Sequence, residues 1–147
     1  MKEQTINPKI LNEFQKYLME EEKSRATVEK YNLTNITEIN EVNIKHFFDS
    51  LAMKDIIDLK QTLKLCDVGS GAGFPAIPLK ICFPNLDITI IEPTTKRTNF
   101  LKMLCDKLAI NVNIINARVE DVSRDLEESF DIVTARAVAR EAEIYIF

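Results

Sequence analysis

The sequence has few of the features that would place it in a membrane, an oxidising compartment or a metal site. Residues 1–8, Met-Lys-Glu-Gln-Thr-Ile-Asn-Pro, contain no apolar signal core, and no segment approaches the roughly 18 apolar residues that a membrane span needs. We therefore expect a soluble, cytoplasmic protein. The three cysteines, Cys66, Cys82 and Cys105, match neither a CxxC pair nor a zinc pattern. We predict buried, reduced thiols and no metal site.

The chain has no excess of positive charge, and histidine is scarce. The formal net charge is −4, so the chain as a whole does not attract nucleic acid, and an RNA partner would need locally concentrated basic residues. His46 is the only histidine, and we interpret it as a helix-packing or capping residue. No His-Asp pair or paired-carboxylate site is visible, so we assign no catalytic residue.

With 147 residues, 46% of them hydrophobic, the chain is long enough for one compact domain. Apolar residues between Asn7 and Lys30 recur at helical spacing, which predicts an amphipathic helix with one buried stripe: Ile10, Leu11, Phe14, Leu18 and Met19. Asn32 and Thr34 suit a turn or cap before a second helix over 42–51. We expect residues 1–60 to form a helical segment that packs on a core of residues 61–147.

After Leu63 the chain alternates between strand and helix patterns. Strands are predicted over 63–68, 86–91, 112–115 and 130–135, and helices over 75–82, 96–108 and 119–126. This alternation is typical of an α/β fold with a parallel sheet and right-handed crossovers. Because the strands would then end at one common edge, we expect ligand chemistry at that edge.

The three glycines of the chain, Gly69, Gly71 and Gly73, follow the first predicted strand within a single turn. Glycine allows a sharp turn and a close approach of the backbone to a ligand. Their GxGxG spacing departs from the GxGxxG of dinucleotide sites, which disfavours a nicotinamide oxidoreductase and favours S-adenosylmethionine. Asp67 and Glu92 end neighbouring strands, where Glu92 suits a ribose diol and Asp67 suits the glycine amides or a ligand ammonium.

Several motifs, in this order, resemble the glucose-inhibited division protein B family of bacterial 16S rRNA guanine-N7 methyltransferases. They are Lys30-Tyr-Asn-Leu-Thr34, His46-Phe-Phe-Asp-Ser-Leu51, Asp67-Val-Gly-Ser-Gly-Ala-Gly-Phe-Pro75, Lys96-Arg97 with Phe100-Leu101, Arg118-Val-Glu120 and Arg136-Ala137. The resemblance covers the chain from about Phe14 onward. It implies that His46, with Asp49 and Ser50, supports the site.

The resemblance implies methyl transfer from S-adenosyl-L-methionine to N7 of guanine 527, in the 530 loop of 16S rRNA of the small ribosomal subunit. It places cofactor contacts at Gly69, Phe74, Val119, Glu120 and Arg136, in addition to Asp67, Gly71, Gly73 and Glu92. Because guanine N7 carries a lone pair at neutral pH, the reaction needs orientation and no general base. Five basic residues at strand ends could contact RNA, although each alone could be a solvated surface charge: Lys96, Arg97, Arg118, Arg136 and Arg140.

Methyltransferases of this fold normally have seven strands, whereas the pattern here contains four parallel ones. We therefore expect a Rossmann-like class I S-adenosylmethionine-dependent methyltransferase fold with N-terminal helices and its last strands missing. The fourth strand would then have an exposed edge. A truncated chain, monomeric if completed, and a chain that pairs with another copy both fit this pattern. The alternative function is a non-catalytic, adenosyl- or nucleotide-binding module associated with the ribosome.

Overall fold

The computed structural model describes residues 8–29, 45, 47–136 and 142–146. Helix α1 spans Pro8–Glu29, and helical backbone at 47–51 leads into a 3-10 turn at Ala52–Asp55. Strands and helices then alternate as β1 (Lys64–Val68), α2 (Ala76–Cys82), β2 (Asp87–Ile91), α3 (Thr95–Leu108), β3 (Asn113–Ile115), α4 (Val119–Val122), β4 (Ile132–Arg136) and β5 (Ala142–Ile146). The predicted alternation is confirmed. Asn32, Thr34, His46 and Arg140 lie outside the described residues, so their roles stay predictions.

The sheet has the strand order β3-β2-β1-β4-β5. Strand β1 pairs in parallel with both β2 and β4, and β2 pairs in parallel with β3. From β1 the chain moves outward through β2 to β3 and then returns to the other side of β1 to form β4. The crossovers therefore diverge at the carboxyl end of β1, which is where ligands bind in open parallel sheets.

Strand β5 corrects one expectation from the sequence. It pairs with β4 in antiparallel orientation, from Ile132 opposite Ile146 to Arg136 opposite Ala142, so the expected exposed edge of β4 is wrong. Residues 137–141 are too few for the crossover of a dozen or more residues that a parallel strand requires. An antiparallel return is therefore the pairing that this short connection allows. The strand-and-helix alternation predicted parallel strands only, so it missed β5.

The core lies on both sides of β1 and β2 and takes in the helix that precedes them. Phe14 and Leu18 of α1 are buried, as the amphipathic pattern predicted, and Phe47 joins the same hydrophobic cluster. Helix α3 buries the predicted face: Phe100, Leu101, Leu104 and Leu108. No helix within the described ranges is long and apolar enough to cross a membrane.

Helix α4 is shorter than the predicted segment 119–126. It ends at Val122, and turns at 123–128 replace the second half. The apolar residues of the predicted segment, Val119, Val122 and Leu126, are only half-buried. Because short helices depend on tertiary packing, this limited burial explains why the helical pattern is not continued.

Candidate cofactor site at the carboxyl edge of the sheet

The turn after β1 holds its glycines in a left-handed backbone conformation. The angle φ is 71° at Gly69, 61° at Gly71 and 103° at Gly73, values that other residues rarely adopt. The Gly69 N–H donates a hydrogen bond to the carbonyl oxygen of Ile91 at the end of β2, over 2.9 Å. The turn therefore lies across the carboxyl ends of β1 and β2, as the sequence predicted.

Gly69 and Gly73 have different surroundings. A Cβ atom added to Gly73 would lie 2.5 Å from Cγ1 of Ile77 and 3.2 Å from Cδ2 of Leu101, so this glycine lets α2 and α3 pack against the turn. A Cβ atom on Gly69 would meet no heavy atom within 4 Å, and Gly69 is exposed. Gly73 therefore serves packing, whereas Gly69 leaves a surface that a ligand can approach.

Asp67 lies beneath the turn with no solvent exposure. The Thr134 hydroxyl donates a hydrogen bond to Asp67 Oδ1 over 2.9 Å, and the two residues are register partners on β1 and β4. A buried carboxylate is costly without such donors, so Thr134 stabilises and orients Asp67. Sequence reasoning missed Thr134, since only the β1–β4 pairing places it opposite the acid.

Glu92 follows β2 and is also buried, with 4% of its surface exposed. Its Oε2 accepts a hydrogen bond from the Gly71 N–H and its Oε1 accepts one from the Thr94 N–H, both over a long 3.4 Å. Each oxygen of a carboxylate can accept more than one hydrogen bond, so Glu92 keeps capacity for a ligand hydroxyl. The structure brings Glu92 to the glycine turn, and its ribose role stays a prediction.

Asn116, directly after β3, is a residue that sequence reasoning missed. In the side-chain amide orientation that gives both its nitrogen and its oxygen a hydrogen-bond partner, the Asn116 nitrogen donates to the backbone carbonyl oxygens of Glu92 (3.2 Å) and Pro93 (3.1 Å). The amide oxygen accepts from the Thr95 hydroxyl over 3.0 Å. Asn116 thereby holds the connection from Glu92 into α3. An asparagine after a strand suits many turns, so its spacing alone carries no functional signal.

The residues that the resemblance implies as cofactor contacts lie on different elements near the carboxyl edge of the sheet. Phe74 ends the turn, but its ring is buried against Phe14 with centroids 5.5 Å apart, so a ligand contact would involve its backbone. Val119 and Glu120 begin α4 directly after β3, with Val119 half-buried and Glu120 exposed. Arg136 is the last residue of β4. Their contacts with a cofactor stay predictions.

The basic residues divide into two groups. Lys96, in the first turn of α3, and Arg118, just before α4, are exposed, as expected for groups that could meet RNA. Arg97 is half-buried, and its Nη1 lies 3.4 Å from where a Cβ atom of Gly71 would stand. Arg97 therefore lies at the glycine turn, while its neighbour Lys96 points away into solvent.

The cysteines lie away from this chemistry. All three are free and buried, which confirms the prediction of buried thiols. Burial, reinforced by the nearby charge of Asp67, raises the pKa of the Cys66 thiol to about 12. Burial raises the pKa of Cys82 and Cys105 to about 11. Thiols with such pKa values are protonated at neutral pH and are poor nucleophiles.

Comparison with known proteins identifies close relatives. A protein of Lysinibacillus sphaericus named ribosomal RNA small subunit methyltransferase G is 44% identical over 138 residues, which cover 92% of this chain and 57% of that protein. A protein of the same name from Staphylococcus saprophyticus is 54% identical over 114 residues, covering 76% and 48%. The relative from Bacillus subtilis is 44% identical over 139 residues. The chain thus spans about half the length of the curated relatives it matches.

Solved structures show a more limited likeness. A putative protein-L-isoaspartate O-methyltransferase from Plasmodium falciparum, in complex with S-adenosyl-L-homocysteine, has a TM-score of 0.44 and 15% identity, covering 65% of this chain and 68% of that one. The bifunctional kinase-methyltransferase WbdD has a TM-score of 0.44 and 23% identity, covering 60% and 19%.

The family called GidB, described as rRNA small subunit methyltransferase G, matches residues 10–146, which is nearly the whole chain. The sheet order, the parallel pairing and the glycine turn after β1 are those of a Rossmann-like class I methyltransferase fold. This chain therefore belongs to the rRNA small subunit methyltransferase G family.

Proposed function

We propose that the carboxyl edge of the sheet binds S-adenosyl-L-methionine. The observation that carries this proposal is the open side of Gly69, which lies between two strands that end in buried carboxylates. Val68 of β1 is paired with Ile91 of β2. Asp67 directly precedes Val68 and Glu92 directly follows Ile91, so the two acids lie at the ends of neighbouring strands. S-adenosyl-L-methionine offers two ribose hydroxyls and the ammonium of its methionyl part as hydrogen-bond donors, and carboxylates accept hydrogen bonds from such groups.

A further polar atom at the turn supports this fit. The Ser70 hydroxyl is buried without a hydrogen-bond partner among the described residues. Because buried polar groups are normally paired, an orphaned hydroxyl inside a glycine turn favours a site that ligand or bound water completes. The remaining cofactor contacts in this proposal are the backbone of Phe74, the segment Val119 to Glu120, and Arg136.

We infer that the reaction is methyl transfer to N7 of guanine 527 of 16S rRNA in the small ribosomal subunit. When bound, S-adenosyl-L-methionine would supply an electrophilic methyl group on its sulfonium. The in-plane lone pair of guanine N7 would form the new bond to this carbon as the carbon–sulfur bond breaks, and S-adenosyl-L-homocysteine would leave. The protein need not remove a proton, so its residues act by orientation and by excluding misaligned approaches. The exposed Lys96 and Arg118 lie on the same edge and suit contacts with RNA phosphates despite the negative net charge.

The proposal also covers organisation and location. Residues 1–60 act as a helical segment on the core of residues 61–147, forming a single domain, which the packing of Phe14 on Phe74 supports. A protein that methylates ribosomal RNA acts in the cytoplasm, and we propose that location here.

Binding and transfer are best tested separately. Equilibrium dialysis with S-adenosyl-L-homocysteine measures cofactor binding, and labelled S-adenosyl-L-methionine with undermethylated small subunits measures formation of 7-methylguanosine. Glu92→Gln removes the charged acceptor and is expected to weaken binding by about tenfold to a hundredfold. Asp87→Asn is the matched control, because Asp87 is exposed at the opposite end of the same strand.

The outcomes distinguish the candidate functions. Binding together with transfer supports the complete proposal. Binding without transfer to any form of 16S rRNA contradicts the enzymatic function and supports the non-catalytic, adenosyl-binding module. Failure of the wild-type chain to bind the cofactor product would overturn the cofactor assignment itself.

A further inference from the structure

Arg97 occupies an unusual position for a basic surface residue. It belongs to the first turn of α3, yet its side chain is half-buried and its Nη1 lies 3.4 Å from the position of a Gly71 Cβ atom. The preceding residue, Lys96, belongs to the same helical turn and is exposed. Two adjacent cations of one helix therefore have different environments, and only Arg97 lies against the glycine turn.

The guanidinium of Arg97 has no hydrogen-bond or ion-pair partner among the described residues. The nearby Glu92 carboxylate directs its oxygens to the backbone amides of Gly71 and Thr94. A guanidinium is always charged and presents five donors, so partial burial without an acceptor leaves it suited to an external anion. The geometry of the guanidinium favours a planar, two-oxygen partner.

Besides its base and its sulfonium, the proposed cofactor carries a ribose diol, an ammonium and a carboxylate. Asp67 and Glu92 are acceptors, so they suit the diol and the ammonium but repel the carboxylate. A cation beside the same turn would complete the charge complementarity. Resting on the cofactor function proposed above, we propose that Arg97 binds the carboxylate of the methionyl part of S-adenosylmethionine, rather than an RNA phosphate.

The RNA alternative fits the observations less well. A phosphate backbone approaches from outside and is met by exposed cations such as Lys96 and Arg118. Arg97 instead lies beside Gly71, whose amide is bonded to Glu92 inside the site. Arg136, the last residue of β4, also belongs to this edge and provides a competing assignment that the experiment must separate.

The test compares two ligands that differ only in the carboxylate: S-adenosylhomocysteine and its decarboxylated analogue. Calorimetry gives the dissociation constant of each for the wild-type chain and for Arg97→Gln, Arg97→Lys, Lys96→Gln and Arg136→Gln. We expect the wild-type chain to prefer S-adenosylhomocysteine by about tenfold to a hundredfold, the size of a charge-assisted pair. In Arg97→Gln this preference should disappear while binding of the decarboxylated ligand is unchanged. Lys96→Gln, which loses the same charge from the same turn, should keep the full preference.

Several results would overturn the inference. They are no wild-type preference, an unchanged preference in Arg97→Gln, equal weakening of both ligands, or loss of the preference only in Arg136→Gln. Weaker binding of Arg97→Gln to small subunits with an intact ligand preference would assign Arg97 to RNA. If Arg97→Gln does not fold, Arg97→Lys keeps the test decisive, because a point charge should retain part of the preference. Failure of the wild-type chain to bind either ligand would instead overturn the cofactor function.

Discussion

Alanine substitutions at Gly69 and Gly73 should separate the binding role of the turn from its packing role. Both glycines have positive φ angles, 71° and 103°, so alanine is strained at either position by about 1–2 kcal/mol. At Gly73 the new Cβ atom would also stand 2.5 Å from Cγ1 of Ile77, inside the core, which adds about 1–3 kcal/mol of overpacking. We therefore expect Gly73→Ala to lower the free energy of unfolding by about 2–5 kcal/mol and Gly69→Ala by about 1–2 kcal/mol.

The loss of cofactor affinity should be larger in Gly69→Ala than in Gly73→Ala, which is the opposite of the order for stability. The Cβ atom of Gly69→Ala enters the open space where the ligand is proposed to lie, whereas that of Gly73→Ala points into the core. Urea unfolding measures stability, and dialysis of S-adenosyl-L-homocysteine at a temperature where both variants are folded measures affinity. Equal stability losses in the two variants would refute the packing role of Gly73. Unchanged affinity in Gly69→Ala would refute the open face of Gly69 as the binding surface.

Three further predictions concern Thr134, Cys66 and Asn116. Thr134→Val removes the donor to Asp67 and should lower the free energy of unfolding by about 1–3 kcal/mol, measured in urea. Because the folded pKa of Cys66, about 12, lies above the ordinary thiol pKa of 9.0, the unfolded thiol ionises first. The contribution of the Cys66 thiol to the free energy of unfolding should therefore be fully present below about pH 9 and should be lost as pH rises toward about 12. The midpoint of urea unfolding measures this loss. Asn116→Ala frees the connection after Glu92 and should weaken S-adenosyl-L-homocysteine binding severalfold in calorimetry.

Each of these has a matched control in the chain. Thr134→Ser retains the hydroxyl and should lose less stability than the valine variant, and the opposite order would contradict the bond to Asp67. Cys66→Ala should show a shallower loss of stability at alkaline pH, whereas an unchanged slope would assign the effect to other groups. Asn113→Ala removes an exposed asparagine at the start of β3, and equal weakening by both asparagine variants would remove the positioning role of Asn116.

Local patterns predicted the parts of the fold that depend on periodicity. The apolar spacing in α3 predicted its buried face, since helical residues three and four apart share one side. The glycine spacing predicted a sharp turn between β1 and α2, because glycine readily adopts positive φ angles. The positive φ angles of Gly69, Gly71 and Gly73 agree with this prediction. The carboxylates at the ends of β1 and β2 were predicted to lie together, and parallel pairing brings them there.

Features that depend on three-dimensional register were not predictable from the sequence. Thr134 becomes the partner of Asp67 only because β4 returns beside β1, which no local pattern specifies. Lys96 and Arg97 are adjacent and carry the same charge. The packing of α3 against the glycine turn makes Arg97 half-buried while Lys96 stays exposed. The buried ring of Phe74 shows the same limit, since its packing partner Phe14 lies far away in sequence.

The tilted contact between the rings of Phe74 and Phe14 couples helix α1 to the glycine turn. A ligand held by the turn stabilises the native arrangement by an amount that grows with its concentration relative to its dissociation constant. Part of that stabilisation should extend to α1 and slow the exchange of its amide hydrogens when S-adenosyl-L-homocysteine is added. Because such coupling is reciprocal, a partner that binds and stabilises α1 would raise the affinity of the turn for its ligand by the same factor by which the ligand raises the affinity of α1 for that partner.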